Sequence, residues 1–262
     1  MVMNDEIINK YYAKQINLPN FGIDGQNKLI NSKVLIIGAG ALGCSAILYL
    51  SAIGIGTLGI CDGDNVEIEN LHRQILYDID DIGKNKAVIS VDKIKRKNPY
   101  IKSKAYSRMI TCENINLIAS DYDIVLDCSD NYDTKFLVHD YGYNNKKTII
   151  QGNIYQYEGE VFVFPFQNLT NCDIPCYRCL WDHVPKTFDR NTSIKGVIGI
   201  VPGIVGLLQS FEAIKLILGF SSEESSIGYL YNSIECELNK IRWCKNDKCK
   251  LCCRERNKYI CG

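Results

Sequence analysis

Apolar runs and amphipathic segments alternate through the first half of the chain. Short apolar runs typical of buried strands are KVLIIG (33–38), TLGICD (57–62), YDIVLDC (122–128) and KTIIQGN (147–153), and a more polar one is KSKAYS (102–107). Segments with helical spacing of apolar residues separate them, namely ALGCSAILYLSAIG (41–54), KNKAVISVDKIKRKN (84–98) and KFLVHDYGYNN (135–145). This alternation predicts a doubly wound, mainly parallel α/β sheet.

The pattern changes at about residue 152. GEVFVFPFQ (159–167) and SIGYLYNSIECELNKIRWC (226–244) alternate apolar and polar residues as antiparallel strands do, and GIVGLLQSFEAIKLILG (203–219) has helical spacing. We therefore expect one α/β domain over residues 1–262, in which a mainly parallel half (1–151) continues into an antiparallel half (152–262).

Composition removes several classes of function. The 262 residues carry 30 basic and 30 acidic side chains, so no charge excess favours nucleic acid as a partner. The N-terminus lacks the apolar core of a secretory signal, so we expect a cytoplasmic protein. Residues 34–61 form an uncharged run of 28 residues, but its six glycines and its strand–helix–strand pattern argue against a membrane span.

Thirteen cysteines in a chain without a secretory signal favour metal binding over disulfides. Two CxxC pairs, CYRC and CKLC, put two thiols each on a tight turn. Two such turns brought together would form the tetrahedral four-cysteine cage that Zn²⁺ prefers, with Cys176, Cys179, Cys249 and Cys252 as ligands. A redox pair is the alternative, and Cys253, Cys244 or Cys172 could replace one ligand.

A glycine motif, Gly38–Gly40–Gly43, follows the first strand and opens a helix, which favours a bound phosphate at the helix N-terminus. Asp62 ends the next strand, where a carboxylate can accept hydrogen bonds from a ribose. A dinucleotide would also fit, so an NAD-dependent dehydrogenase is one alternative.

The residues after Asp62 favour a triphosphate instead. Asn70, Arg73 and Gln74 lie on a predicted short helix and Lys86 follows, so two cations could balance the charge of a triphosphate and a leaving pyrophosphate. Asp130 follows the strand ending in Asp127, at the edge where such sheets bind ligands, and its carboxylate suits Mg²⁺. Considered singly, Asp62 and Asp130 could be helix caps, Lys86 a solvated residue and Asp64 a turn residue, and we expect Asp127 to be structural.

Seven segments in order resemble the MoeB/ThiF family of relatives of ubiquitin-activating enzymes: GAGALGC, DGDNVEIENLHRQILY, GKNKA, LDCSDN, CYRC, GLLQSFEAIKLILG and CKLC. The resemblance covers nearly the whole chain, with residues 1–151 as the nucleotide-binding half and residues 152–262 as the zinc-bearing half. It implies a Rossmann-like sheet with a Cys-ligated zinc, a homodimer, and ATP-dependent adenylation of the C-terminal glycine of a small ubiquitin-fold protein.

The resemblance also implies roles for individual residues. Asp62 would bind the ribose, and the phosphates would be bound by Asn70, Arg73 and Lys86. Asp130 would hold the Mg²⁺, and Gln74 would support the residues around that ion. Arg73, Lys86 and Asp130 are therefore the predicted catalytic residues. The attacking C-terminal carboxylate is already ionised at neutral pH, so the reaction needs no general base.

The chain departs from the family pattern at two positions. Lys14 stands where the family has an arginine that reaches the ATP of the neighbouring subunit, so we expect Lys14 to act in trans without the bidentate fork of an arginine. Thr192 stands where some members carry a nucleophilic cysteine. We therefore expect no covalent step there and a separate sulfur donor or nucleophile, with Cys253 and Cys261 as weak alternative thiols.

Two further alternatives stay open. The adenylated substrate could be a ribosomally made peptide instead of a carrier protein with a Gly-Gly tail, although we favour the carrier. A non-catalytic scaffold, paired with an active enzyme, would explain Lys14 and Thr192 but not the presence of all the other site residues.

Overall fold

One continuous sheet organises the molecule. The computed structural model describes residues 5–168, 174–182, 196–220 and 225–253. The strands are β1 Lys33–Ile37, β2 Thr57–Cys61, β3 Lys102–Tyr106, β4 Ile124–Asp127, β5 Thr148–Tyr155, β6 Glu158–Pro165, β7 Ile227–Asn232 and β8 Glu237–Ile241. Their order in the sheet is β3-β2-β1-β4-β5-β6-β7-β8. The first five strands in this order pair in parallel, and β6, β7 and β8 continue the sheet with antiparallel pairing. The predicted fold class is confirmed.

Helices cover both faces of the sheet. They are α1 Asp5–Tyr11, α2 Ala13–Ile16, α3 Gly22–Asn31, α4 Ala41–Ile53, α5 Lys86–Lys97, α6 Ile115–Ala119, α7 Tyr132–Asn145, α8 Tyr177–Leu180 and α9 Ile200–Leu218. Short 3-10 helices lie at Ile68–Asn70, Ile79–Asp81 and Phe166–Asn168. The predicted boundary between the two halves falls within β5, so the sheet runs through it without a break.

Side-chain alternation along the strands separates two cores. Val34 and Ile36 of β1 face an aliphatic core with α4, α5 and α9, whereas Leu35 and Ile37 face a second core with α6 and α7. The second core is rich in aromatic residues and includes three of the cysteines of the CxxC pairs. Burial of β1 on both faces explains why its sequence is an apolar run instead of an alternating one.

Helix α9 is the longest apolar helix among the described residues. By length and composition alone it could cross a membrane, but 44% of its most apolar stretch of 18 residues is buried inside the fold. It packs on α4 and on strands β5 and β6. The uncharged run at 34–61 forms β1, α4 and β2, as its glycines predict.

Candidate functional site: a glycine turn and a cysteine cluster

The glycine turn, residues 38–43, connects β1 to α4. Gly38 has a φ of 90°, a conformation that favours glycine. A Cβ on Gly43 would lie 2.0 Å from the carbonyl oxygen of Gly38, and a Cβ on Gly38 would lie 2.8 Å from that of Cys128. The turn is therefore packed against its own helix and against the segment after β4. Gly40 is the N-cap of α4, so backbone N–H groups point out of the turn toward any bound anion.

Asp62 lies directly beside this turn. One oxygen of its carboxylate accepts a hydrogen bond from the N–H of Ala39 at 2.7 Å, and the other accepts one from the N–H of Asp64 at 2.8 Å. Burial raises the pKa of Asp62, while these backbone hydrogen bonds oppose the rise. The carboxylate is thereby fixed between the glycine turn and the loop after β2, where the sequence predicts a ribose site.

The predicted phosphate-binding segment lies around the Ile68–Asn70 helix. Asn70 is buried, and its carbonyl accepts hydrogen bonds from the N–H groups of Arg73 and Gln74. Arg73 is partly exposed, and its Nη1 donates to the carbonyl of Glu69 at 2.8 Å. Gln74 is buried, and within the described residues its Oε1 has no hydrogen-bond partner. Its Nε2 lies 3.9 Å from the position that a Cβ on Gly40 would take.

Lys86 is the first residue of α5, and its side chain is only 8% exposed. Its Nζ lies 3.5 Å from Oδ2 of Asp64. Asn85 caps α5 through its Oδ1, and its Nδ2 donates to the carbonyl of Asp62 at 3.2 Å. The buried ammonium group is thus held next to the ribose-side loop with one exposed carboxylate as its neighbour.

Asp127 and Asp130 differ in burial. Asp127 is fully buried, and its Oδ1 accepts hydrogen bonds from the N–H and the hydroxyl of Ser129. Its Oδ2 lies 3.9 Å from Nζ of the buried Lys135. Asp130 is exposed in the loop after β4. It is not the cap of the following helix α7, because Asn131 is the N-cap residue. The exposed carboxylate of Asp130 is accessible to a cation such as Mg²⁺, whereas the buried Asp127 shapes the loop.

Lys14 is the predicted site residue that the structure does not bring to the glycine turn. Its neighbour Gln15 donates a hydrogen bond to the carbonyl of Ile53, the last residue of α4. The glycine turn lies at the opposite end of this 13-residue helix, about 20 Å away at 1.5 Å per residue. Lys14 therefore does not reach the site of its own chain. Thr192, Cys172 and Cys261 lie outside the described residues.

The cysteine cluster consists of Cys176, Cys179, Cys249 and Cys252. Their sulfur atoms all lie within 4.8 Å of one another, with 3.5 Å between Cys176 and Cys249 and 3.3 Å between Cys179 and Cys252. Tetrahedral Zn²⁺ with bonds of 2.3 Å needs sulfur atoms about 3.8 Å apart, so the four thiols fit a zinc ion. The thiols also share their protons: hydrogen bonding with Cys176 lowers the pKa of Cys179 and that of Cys249, and the same contacts raise the pKa of Cys176.

Helix α7 supports the cysteine cluster. Nε2 of the fully buried His139 accepts a hydrogen bond from the N–H of Tyr177 at 2.9 Å, so its Nδ1 carries the proton and donates to Asp140. Asp140 in turn accepts two parallel hydrogen bonds from Arg178, from Nε to Oδ1 at 2.9 Å and from Nη2 to Oδ2 at 2.7 Å. Burial would raise the pKa of Asp140, but the hydrogen bonds from His139 and Arg178 outweigh it and lower the pKa.

Gln209 is a structural residue of the site that the sequence analysis does not identify. It is fully buried in the middle of α9, and its Nε2 donates to the carbonyls of Asp127 and Ile150 at 2.9 and 3.0 Å. Its Oε1 accepts a hydrogen bond from the thiol of Cys128. The only signal in the sequence is a glutamine within the apolar helix LLQSFEA, which indicates a buried polar contact but not its partners.

Comparison with known proteins identifies the family. A model of the ThiF family matches residues 12–252. A sulfur carrier protein adenylyltransferase of Thermus thermophilus is 37% identical over 242 residues, which are 92% of this chain and 89% of that protein. The adenylyltransferase and sulfurtransferase MOCS3 of Xenopus laevis is also 37% identical, over 92% of this chain but only 53% of its own length.

Solved structures support the fold. The crystal structure of E. coli MccB with ATP superposes with a TM-score of 0.76 at 20% identity, over 96% of this chain and 82% of that one. The structure of PaaA gives a TM-score of 0.74 at 21% identity, over 94% of this chain and 76% of that one. At such identities the likeness concerns the fold alone. The family match and the curated relatives go further: this chain belongs to the ThiF family, as an enzyme of the adenylyltransferase class.

Proposed function

We propose that this protein uses ATP and Mg²⁺ to adenylate the C-terminal carboxylate of a small ubiquitin-like sulfur-carrier protein and releases pyrophosphate. The observation that carries the proposal is the arrangement of Asp62, Lys86 and the 70–74 segment around the glycine turn. The similarity to a sulfur carrier protein adenylyltransferase over most of both chains supports the choice of substrate.

The arrangement suits adenylyl transfer. Two anions must approach, because the carrier's carboxylate attacks the α-phosphate of ATP. The glycine turn would offer backbone N–H groups to the phosphates, and Asp62 would fix the ribose. Arg73 and Lys86 would stabilise the negative charge on the leaving pyrophosphate, with Asn70 and Gln74 as further polar contacts. Positioning and charge compensation are the whole task of these residues, since the nucleophile needs no deprotonation.

Two metals complete the proposal. Asp130 would hold Mg²⁺, which supplies charge neutralisation on the phosphates of ATP when it is bound. The cysteine cluster would hold a structural Zn²⁺, because four thiols at these separations match the preferred coordination of zinc. Zinc there would join two CxxC turns from distant parts of the chain and take no part in the transfer.

The remaining parts of the proposal concern partners and location. Lys14 lies at the far end of α4 from its own glycine turn, which supports a homodimer in which Lys14 reaches the ATP of the partner subunit. Thr192 in place of a cysteine supports an acyl adenylate that a separate sulfur donor or nucleophile then attacks. We further propose a cytoplasmic location.

ATP–pyrophosphate exchange tests the proposed reaction. Purified protein with Mg²⁺ is mixed with each candidate Gly-Gly-tailed protein of the same genome, and label passing from pyrophosphate into ATP is measured. We expect exchange with one carrier and a loss of at least about 100-fold in Asp130→Ala, since removal of one electrostatic contact to a transition state typically costs this much. The matched control is Asp133→Ala, three residues further along in α7.

Other results would contradict the assignment. Exchange with a ribosomal peptide but with no carrier would transfer the activity to peptide adenylation. Absence of both exchange and ATP binding in a folded protein would favour the non-catalytic scaffold, and binding of NAD without a magnesium requirement would favour a dehydrogenase.

A further inference from the structure

Tyr77 lies between the glycine turn and α5, two parts of the predicted nucleotide site, and is not one of the predicted ligands. It follows Arg73 and Gln74 in the chain and is 6% exposed. Its hydroxyl lies 2.8 Å from the carbonyl oxygen of Ala39 in the glycine turn, 3.1 Å from Oγ of Ser90 and 3.4 Å from the carbonyl oxygen of Lys86. One phenol group therefore contacts the glycine turn and the first turn of α5.

The hydrogen count determines how this contact is made. Tyr77 and Ser90 each have one hydroxyl hydrogen, and the carbonyls of Ala39 and Lys86 have none to give. Tyr77 makes its shortest contact with Ala39, and Ser90 makes its shortest contact with Lys86, at 2.7 Å. Tyr77 therefore donates to the glycine turn and keeps its oxygen as an acceptor, and the hydroxyl hydrogen of Ser90 is shared between the carbonyl of Lys86 and the oxygen of Tyr77. Burial raises the pKa of Tyr77, so its hydroxyl stays protonated and remains a donor.

Ala39 of the glycine turn is held on both sides of its Cα. Its N–H, in the peptide group shared with Gly38, donates to Asp62, and its carbonyl, in the peptide group shared with Gly40, accepts from Tyr77. The thiol of Cys44 also approaches the same carbonyl, at 3.6 Å. Loss of the Tyr77 hydroxyl would leave a buried carbonyl with only this weak sulfur donor among the described residues.

We infer that Tyr77, assisted by Ser90, is a positioning residue that holds Lys86 and the glycine turn at the spacing required by the phosphates of ATP. This inference rests on the proposed function, because it assumes that the site binds ATP. Neither hydroxyl needs to touch the nucleotide, since Tyr77 donates to the carbonyl of Ala39 and Ser90 donates to the carbonyl of Lys86 and to the oxygen of Tyr77. Their effect reaches the nucleotide through Lys86 and through the backbone N–H groups of the turn.

Comparison of two ligands tests the inference. Isothermal titration calorimetry with Mg²⁺ would give the Kd of ATP and that of adenosine, which lacks phosphates, for wild type and for Tyr77→Phe. We expect Tyr77→Phe to weaken ATP binding by about fivefold, the worth of one hydrogen bond, and to change adenosine binding by less than about twofold. Ser90→Ala, which keeps the bond to Ala39, should give a smaller change of the same kind.

A double-mutant cycle with Lys86→Ala shows whether Tyr77 acts through Lys86. If it does, Tyr77→Phe will weaken ATP binding less in the Lys86→Ala protein than in wild type. Tyr122→Phe is the matched control, since it removes the hydroxyl of another buried tyrosine, whose part-buried contact with the hydroxyl of Tyr106 at 3.2 Å lies away from the glycine turn. It should leave both Kd values unchanged.

Three results would overturn the inference. In the first, Tyr77→Phe and Ser90→Ala bind ATP as wild type does. In the second, ATP and adenosine weaken equally, which indicates general loosening. In the third, the effect of Tyr77→Phe is undiminished by Lys86→Ala. A wild-type chain that binds no ATP would instead overturn the proposed function, and this inference with it.

Discussion

The glycine turn and the cysteine cluster are both short segments that the fold must hold in place, and the two are held by different forces. The turn is held by close backbone contact, since a Cβ on Gly43 would lie 2.0 Å from the carbonyl oxygen of Gly38. The cluster is held by hydrogen bonds of polar groups at its margin. His139 accepts one from the N–H of Tyr177, and Asp140 accepts one from Arg178. The Nε1 of Trp243 donates one to the carbonyl of Cys176.

The two segments therefore differ in whether they need a bound ligand to keep their shape. Steric exclusion sets the shape of the glycine turn, so the turn is complete in the protein alone. The cysteine cluster joins thiols 73 residues apart, and the sulfur atoms of its two CxxC pairs meet at 3.5 Å and 3.3 Å. We therefore expect the cluster to depend on a bound metal for its stability and the turn to depend on none. Three substitutions test this comparison.

The largest expected effect is that of Cys249→Ala. Loss of one ligand should abolish stoichiometric zinc and lower the free energy of unfolding by about 4 kcal/mol, which corresponds to about 8–16 °C in Tm for a domain of this size. Metal analysis by mass spectrometry and thermal unfolding would measure both. Cys244→Ala is the matched control, because this exposed thiol lies outside the cluster, and it should keep the zinc. Full zinc content in Cys249→Ala would disprove the predicted ligand set.

The second effect is that of Gly43→Ala. The added methyl group must displace backbone, so we expect a loss of about 3 kcal/mol in unfolding free energy together with weakened ATP binding, at unchanged zinc content. Chemical denaturation and calorimetry would measure these. The control is Gly203→Ala in α9, where a Cβ would meet nothing within 4 Å and where alanine should stabilise the helix by about 0.5 kcal/mol. Equal effects of both variants would contradict the steric account of the turn.

The smallest effect is that of Asp140→Asn, which weakens the support of the cysteine cluster. Loss of the charge-assisted bonds to Arg178 should cost about 2 kcal/mol at pH 7 in urea unfolding. The exposed pair of Lys250 and Asp182 lies 3.3 Å apart, and Asp182→Asn should cost less than about 0.5 kcal/mol. A comparable loss in both variants would show that burial of the Asp140 pair is unimportant.

The Asp140 contribution should also depend on pH with a definite sign. Its pKa is lowered in the folded protein, so the stabilisation is fully present above the pKa of an unfolded aspartate, about 3.9. It is lost as the pH falls through the lower folded value. The difference in unfolding free energy between wild type and Asp140→Asn should therefore be constant from about pH 5 to 8 and shrink below about pH 4. A difference that grew on acidification would contradict the assignment.

Much of the fold and part of the site could be predicted from local sequence. The apolar runs and helical spacings place the strands β1, β2, β4 and β5 and the helices α4, α5, α7 and α9, because each pattern reports burial within a few residues. The glycine spacing predicts the turn between β1 and α4 for the same reason. Gln209 and Tyr77 could not be assigned in this way, because each makes its contacts with carbonyls of other elements.

By itself, the sequence determined the element types, the glycine turn and the two CxxC pairs as candidates for one metal cage. Tertiary structure decided which of these come together. It brought the two pairs within sulfur contact, set Asp62 and Lys86 on one side of the glycine turn, and left Lys14 at the far end of α4. The physical reason is range: secondary structure follows from periodicity over neighbouring residues, whereas these placements depend on sheet order and on packing between elements distant in sequence.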